Sequence, residues 1–166
     1  MKPKKDSQPQ ALWFYSTIGG ATGTIPMTIF MLVTQRFLPK GQRYELPPEL
    51  ITKELAERAH IRHHMNKTQV LIATLFSHFG YGAAMGVLYG ILGRQLPFSS
   101  LFRGIVFSLL VWGASYLGLL PLLGISESAH TEPVRRNILM ITAHIVWGST
   151  TGIVTDLLDQ VSKETS

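Results

Sequence analysis

The chain contains no cysteine among its 166 residues, which excludes disulfide bridges, thiolate metal sites and cysteine nucleophiles. Charge is also scarce, because Asp, Glu, Lys and Arg together make up 15% of the residues, against roughly a quarter in typical soluble domains. The basic residues behind the net charge of +5 are dispersed along the chain, so we predict no surface for nucleic acid. A Ser-His-Asp pattern, a phosphate-binding loop and paired carboxylates within the apolar segments are missing too. We therefore expect a protein that is not an enzyme and that needs no cofactor.

Charged residues are missing altogether from four long stretches, each of 19 to 29 residues. A helix needs about 20 largely apolar residues to cross the hydrocarbon core of a bilayer. A soluble helix bundle would instead carry charge on the outer face of each helix. The pattern predicts an all-α integral membrane protein, a single membrane domain over residues 1–166. Its four transmembrane helices would form a bundle and span about residues 12–37, 68–93, 99–123 and 137–158.

The polar segment between the first two spans contains a candidate amphipathic helix, over about residues 48–62. Two acid–base pairs, Glu49 with Lys53 and Glu54 with Arg58, are spaced four apart with the acid first, which is the favourable order. Apolar residues lie roughly on one side, so we expect this helix to rest at the membrane surface. An ordinary solvated connecting helix is the alternative.

The orientation in the membrane is predicted from the Lys and Arg residues of the loops. The side with the long loop carries 9 of them and the other side carries 6, which favours a cytoplasmic long loop. The three lysines of the N-terminal tail favour the opposite orientation, because they directly precede the first span. The apolar segment after this tail lacks a small-x-small cleavage site, and we expect it to be retained as a span.

Two stretches of the sequence share a histidine followed by glycines at intervals of four residues. The members are His78, Gly82, Gly86 and Gly90 in the first stretch and His144, Gly148 and Gly152 in the second. Residues four apart lie on one face of a helix, and small residues at this spacing allow helices to pack closely in lipid. The two stretches fall on the second and fourth spans, which cross the membrane in the same direction. We therefore predict a duplicated helical hairpin whose glycines are helix-packing residues.

His78 and His144 form a candidate polar site within the membrane. A polar ring is costly in hydrocarbon, so such residues normally face the protein interior and find a partner. Hydrogen bonds to threonines or carbonyl groups of neighbouring helices are one possibility. Two imidazoles at matched depth would also suit the axial ligands of a haem, and a proton or ion path is the third possibility.

A second histidine cluster lies in the long loop and comprises His60, His63 and His64. On a continuing helix these residues would face one way and are a weak candidate for a divalent metal site. Basic residues surround them, and no carboxylate stands at the spacing of a HExxH motif. A surface cluster that binds anionic headgroups when protonated is the preferred interpretation, and no metal is predicted.

The C-terminal half resembles a known group of proteins over residues 113–152. The stretches ASYLGLLPLLGI, PVRRN and NILMITAHIVWGSTTG are similar to small, uncharacterised bacterial inner-membrane proteins of the YagU-like family. The shared element is His-x-x-Trp-Gly, here His144, Trp147 and Gly148. The resemblance implies a multi-pass protein of the bacterial inner (plasma) membrane and singles out His144. It implies no reaction, since that family has no defined biochemical activity.

The sequence therefore favours a structural or accessory helix-bundle protein of undefined biochemical activity. The bilayer is its expected partner, and self-association through the glycine faces is a further expectation. Two other functions stay open. One is a small transporter or proton-responsive membrane protein that uses His78 and His144, and the other is a haem-binding membrane protein with two histidine ligands.

Overall fold

The computed structural model describes residues 9–39, 43–126 and 128–165, and the regular structure in these ranges is helical. The α-helices are α1 (Pro9–Phe37), α2 (Pro47–Arg58), α3 (Lys67–Ile91), α4 (Ser100–Gly113), α5 (Leu120–Leu122) and α6 (Val134–Glu164). A π-helical segment, Ala114–Leu119, joins α4 to α5. Short 3₁₀ turns lie at Arg62–His64 and Gly93–Gln95.

Four segments of this structure are long and apolar enough to cross a membrane: Ala11–Phe37, Lys67–Gln95, Ser100–Leu122 and Val134–Glu164. Their outer faces carry large apolar side chains. Phe37, Phe76 and Leu122 are each more than 80% exposed, which is unusual for a protein surrounded by water. These segments coincide with the four predicted spans and indicate a multi-pass membrane protein.

Two helix ends differ from the sequence prediction. Helix α2 ends at Arg58 instead of continuing to residue 62, because His60 adopts a left-handed backbone conformation with a φ of 57°. Helix α6 extends to Glu164, although the polar residues after Asp159 suggest a frayed end. An ion pair of 3.0 Å between Lys163 and Asp159, four residues apart, supports this last turn.

Helices α1 and α6 occupy the middle of the arrangement. Helix α1 packs against α3 on one side and against α6 on the other, while α6 packs against α4 on its far side. In contrast, α3 and α4 make few contacts with each other. Gly19 lies against Thr155, and Gly23, which comes later in α1, lies against Thr151, which comes earlier in α6. Helices α1 and α6 are therefore antiparallel.

Glycines mediate the close approach within each hairpin. A methyl group at Gly20 of α1 would collide with Gly82 and Gly86 of α3. In the second hairpin a methyl group at Gly104 of α4 would collide with Gly148 of α6. At both places backbone meets backbone directly, as small-residue packing in membranes requires.

Residue size explains why α1 and α6 are close while α3 and α4 are apart. The α1–α6 contact involves Gly19 and Gly23, and Trp147 Nε1 donates a hydrogen bond of 3.0 Å to the carbonyl oxygen of Gly20. Between α3 and α4, by contrast, the rings of Tyr89 and Phe107 meet edge to face with centroids 5.5 Å apart. These rings keep the two helices apart and leave room between them.

Candidate functional site

A cavity of about 380 Å³ lies between α3 and the α4–π–α5 segment. We call it the α3–α4 cavity. Its floor is formed by Met27 and Met31 of α1 and by His144 and Trp147 of α6. Its walls are formed by five residues of α3 and seven residues of the third span and the following turn: Ser77, His78, Tyr81, Gly82, Met85, Val111, Ser115, Tyr116, Leu119, Leu120, Leu123 and Ile125. Among the described residues that line it, none carries a charged side chain.

Both intramembrane histidines predicted from the sequence line this cavity. His144 is buried, with an exposed fraction of 7%, and its Nδ1 lies 2.8 Å from the carbonyl oxygen of Met140. Because a carbonyl can only accept, Nδ1 carries the proton, and Nε2 is the acceptor nitrogen of the neutral ring. His78 Nε2 is buried and has no hydrogen-bond partner among the described residues. The structure thus brings the two histidines to one site.

Hydroxyl groups supply most of the remaining polarity of the cavity. The hydroxyls of Tyr81 and Ser115 lie 3.2 Å apart and connect α3 to the π-helical segment. The ring of Tyr116 packs edge to face against His144, with centroids 5.9 Å apart. Apolar walls with a few converging polar groups are typical of small-molecule sites, and the volume lies within the range of about 300–1,000 Å³ usual for them.

The π-helical segment Ala114–Leu119 forms part of the cavity wall through Ser115, Tyr116 and Leu119. A π-helix has one more residue per hydrogen-bonded turn than an α-helix and is found frequently at functional sites. Here its Tyr116 packs directly against His144. Polar and aromatic residues gather in the third span and are a partial sequence signal for this wall, but they do not indicate its π-helical geometry.

Helix α2 covers one end of the cavity. Ile51 and Leu55 from its apolar side line the cavity, together with the prolines at its N-terminus. The helix is held by two polar contacts: the hydroxyls of Thr52 and Ser77 lie 3.0 Å apart, and Arg58 donates a hydrogen bond of 2.7 Å to the carbonyl oxygen of Leu123. Part of the predicted apolar face therefore lies against protein, although Leu55 stays 51% exposed.

An ionic cluster closes the opposite end of the helices. Arg94 donates two hydrogen bonds of 3.0 Å to one carboxylate oxygen of Asp159, and Lys163 donates a third. Asp156 lies 3.6 Å from Arg103 and 3.8 Å from Arg94. Sequence reasoning missed this cluster, although the signal was present as opposite charges at the ends of the second, third and fourth spans.

The other predicted site residues lie outside the cavity, with one exception. Gly82 lines the cavity edge, whereas Gly86, Gly90, Gly148 and Gly152 lie in helix contacts within the chain. The weak metal candidate of His60, His63 and His64 loses its basis, because α2 ends before it. The rings of His63 and His64 lie 3.9 Å apart, but no group of three or more potential metal ligands occurs in the described ranges.

Comparison with known proteins identifies a family to which the chain belongs. Neither a curated protein nor a solved structure matches the chain. The model of one protein family matches residues 33–153, which is more than half of the chain. This region includes every described residue that lines the α3–α4 cavity except Thr24, Met27 and Met31 of α1. The chain belongs to the family described as Protein of unknown function (DUF1440).

Proposed function

We propose that this protein is a non-enzymatic, multi-pass protein of the bacterial inner membrane that binds a small molecule in the α3–α4 cavity. The observation that carries the proposal is the meeting of His78 and His144 at one uncharged, largely apolar cavity. Packing alone does not require a polar ring in a membrane helix. A site that receives a ligand does require polar groups to orient it.

We also propose that the four spans form a bundle built from a duplicated hairpin. Matching helix contacts support this: in each hairpin the first helix presents a small residue at every fourth position to the glycines of the second helix. These residues are Ser16, Gly20 and Thr24 in α1 and Ser100, Gly104 and Ser108 in α4. Such a repeat would have a pseudo-twofold axis along the membrane normal.

The cavity lies where this proposed symmetry fails. The repeat aligns Gly19 and Gly23 of α1 with Arg103 and Phe107 of α4, which are much larger residues. The symmetry partner of the tight α1–α6 contact is the open α3–α4 contact. Replacement of glycines by large residues at one of two equivalent contacts would convert a symmetric scaffold into one with a ligand site.

The other functions considered for this sequence gain less support. A purely structural role leaves the cavity unexplained, since an unfilled cavity costs stability. A haem carries two carboxylates, and no cation among the described lining residues could pair with them. The resemblance of His144, Trp147 and Gly148 to YagU-like proteins agrees with an inner-membrane location and names no ligand. A transport function would be an extension of ligand binding at the same site.

The proposal is tested by filling the cavity. Ser115→Phe places a ring in the cavity, whereas Ala114→Phe adds the same ring at the adjacent, exposed position outside the lining. Both variants and the unchanged protein are purified from the same bacterial membranes and examined by native mass spectrometry. We expect a bound small molecule in the unchanged protein and in Ala114→Phe, and its loss in Ser115→Phe. Absence of any bound molecule from the unchanged protein, or its retention in Ser115→Phe, would contradict the proposal.

A further inference from the structure

We infer that the ligand of the α3–α4 cavity is an uncharged, mostly apolar molecule that carries one O–H or N–H donor for His144 and that reaches the cavity from the bilayer. This inference rests on the proposed function and specifies the chemistry of the same site. Three properties of the cavity carry it: its lack of charge, the fixed hydrogen-bonding role of His144, and the position of its opening.

The lining determines the charge of the ligand. None of the described lining residues is Asp, Glu, Lys or Arg. The ionic cluster around Asp159 lies at the other end of the helices. At the α2 end, Arg58 lies outside the lining, where it pairs with Glu54 and donates to the carbonyl oxygen of Leu123. Arg136 is paired with Glu132 and does not line the cavity either. Burying an ionised group without a partner of opposite charge is very costly. A carboxylate, phosphate or ammonium ligand would have no such partner among the described lining residues.

The hydrogen bond of His144 determines which polar group the ligand needs. Its Nδ1 proton is donated to the carbonyl oxygen of Met140, so the nitrogen left for a ligand is the acceptor Nε2. A ligand with only acceptor atoms would leave this nitrogen unsatisfied. The unpartnered Nε2 of His78 can adapt, because its ring can take either tautomer. A hydroxyl or N–H group on the ligand satisfies His144 directly.

The volume sets the size of the ligand. A cavity of about 150 Å³ accommodates benzene, so a cavity of about 380 Å³ has room for roughly 15 non-hydrogen atoms at the same density. This is the size of a medium-chain alcohol or a small substituted phenol. It is too small for a complete phospholipid.

The opening of the cavity faces the surroundings of the spans. Tyr81, Leu119 and Leu123 line the cavity and are 42–49% exposed. These residues border the gap between α3 and the α4–π–α5 segment. Among the described residues, the hydrogen bond between Tyr81 and Ser115 is the only polar contact across this gap. Since the neighbouring surface is that of membrane-spanning segments, a ligand dissolved in the bilayer reaches this gap without crossing water.

The test uses Trp147 as a reporter, because it lines the floor of the cavity. Trp13→Phe and Trp112→Phe leave it as the single tryptophan, and the full chain is placed in phosphatidylcholine nanodiscs. Four probes with the same bromine quencher are compared at equal bilayer concentrations: 11-bromoundecan-1-ol, its methyl ether, 1-bromoundecane and 11-bromoundecanoic acid. The pH is set well above the pKa of the carboxyl group in the bilayer, so that the acid is ionised. We expect saturable quenching by the alcohol at about tenfold lower concentration than by the other three, because the ether and the bromoalkane leave a buried acceptor unsatisfied and the ionised acid buries a charge.

Variants assign this preference to His144. His144→Phe should remove the advantage of the alcohol, while His144→Gln, which retains an acceptor oxygen, should restore part of it. Ser115→Phe should abolish saturable quenching, and Ala114→Phe should not. Equal binding of all uncharged probes would overturn the donor requirement and leave the proposed function standing, and preferred binding of the acid would overturn the charge assignment. Absence of saturable quenching by every probe would overturn both the inference and the proposed function.

Discussion

At the scale of single residues, Gly86 shows how much depends on a missing side chain. A methyl group here would collide with the backbone of Ser16 and Gly20 in α1, whereas Gly80 in the same helix has no atom within 4 Å of an added methyl group. We expect Gly86→Ala to lower the free energy of unfolding by about 1–3 kcal/mol through overpacking. Gly80→Ala should raise it by up to about 1 kcal/mol through helix propensity. Urea-induced unfolding in detergent micelles measures both, and equal effects of the two substitutions would contradict the packing role of Gly86.

The sequence was informative at this scale wherever a regular spacing was involved. The four-residue interval of the glycines and the histidines indicates one helix face without any tertiary information. It does not indicate which helix lies against that face. Gly19 and Gly23 contact α6 while Gly20 contacts α3, and this division depends on the rotation of α1 about its axis, which local spacing cannot determine.

At the scale of elements, the end of α6 is fixed to the turn between α3 and α4 by the ionic cluster. Asp159 is only 2% exposed and receives three hydrogen bonds from Arg94 and Lys163. Asp159→Asn leaves these cations with a neutral partner, and we expect a loss of about 3 kcal/mol in the free energy of unfolding. Asp156→Asn is the matched control, with longer contacts and greater exposure, and should cost less than about 1 kcal/mol. Thermal unfolding followed by circular dichroism gives the order, and a larger effect of Asp156→Asn would refute the assignment.

Helix α2 is the element whose position the sequence predicted least well. The acid–base spacing indicates where the helix lies, but its end could not be predicted. The predicted helix is extended by its 3.6-residue periodicity, and this periodicity does not show that His60 adopts a left-handed backbone conformation. Its contact with the cavity depends on residues 25 and 65 positions further along the chain, Ser77 and Leu123. Such distant partners cannot be inferred from one sequence.

The contribution of Arg58 to the position of α2 can be tested directly. Arg58→Ala removes the hydrogen bond to the carbonyl oxygen of Leu123 and the ion pair with Glu54. Lys53→Ala is the control. Lys53 also forms ion pairs, with Glu45 and Glu49, and hydrogen bonds to these carboxylates raise its pKa. Both partners lie in or next to α2, so this substitution removes no described polar contact with the rest of the protein. We expect amide hydrogen exchange in α2 to accelerate several-fold in Arg58→Ala, with no change in α3, and to remain near the original rate in Lys53→Ala. Equal acceleration in the two variants would show that the contact with Leu123 does not hold the helix.

At the scale of the whole molecule, four charge-free stretches were sufficient to predict the four spans, because the bilayer sets both their length and their composition. The neighbours of each span follow from a different property, the size of the residues at each contact. Glycine and threonine bring α1 and α6 together, while Tyr89 and Phe107 separate α3 from α4. The cavity is a consequence of this difference, which is why no motif in the sequence marks it.

Because α1 and α6 pack closely while α3 and α4 barely touch, the α1–α6 contact is the main connection between the α1–α3 hairpin and the α4–α6 hairpin. We therefore expect residues 1–96 and 97–166, produced as two separate chains, to assemble in the membrane and to co-purify through a tag on one of them. The cut falls after the 3₁₀ turn Gly93–Gln95, so the α1–α3 and α4–α6 contacts stay within the separate chains. The pairing of Arg94 with Asp159 would add to the association.

A substitution in the α1–α6 contact should break this assembly. Gly23→Leu forces a side chain against Thr151 and Trp147, and we expect at least a tenfold lower recovery of the second chain, since close approach is the main source of helix association in lipid. Gly80→Leu adds the same side chain where nothing lies within 4 Å, so recovery should be unchanged. Recovery that is insensitive to Gly23→Leu, with both chains present in the membrane in normal amounts, would mean that the hairpins are held together elsewhere. The small residues of α1 and α6 would then have no part in the assembly.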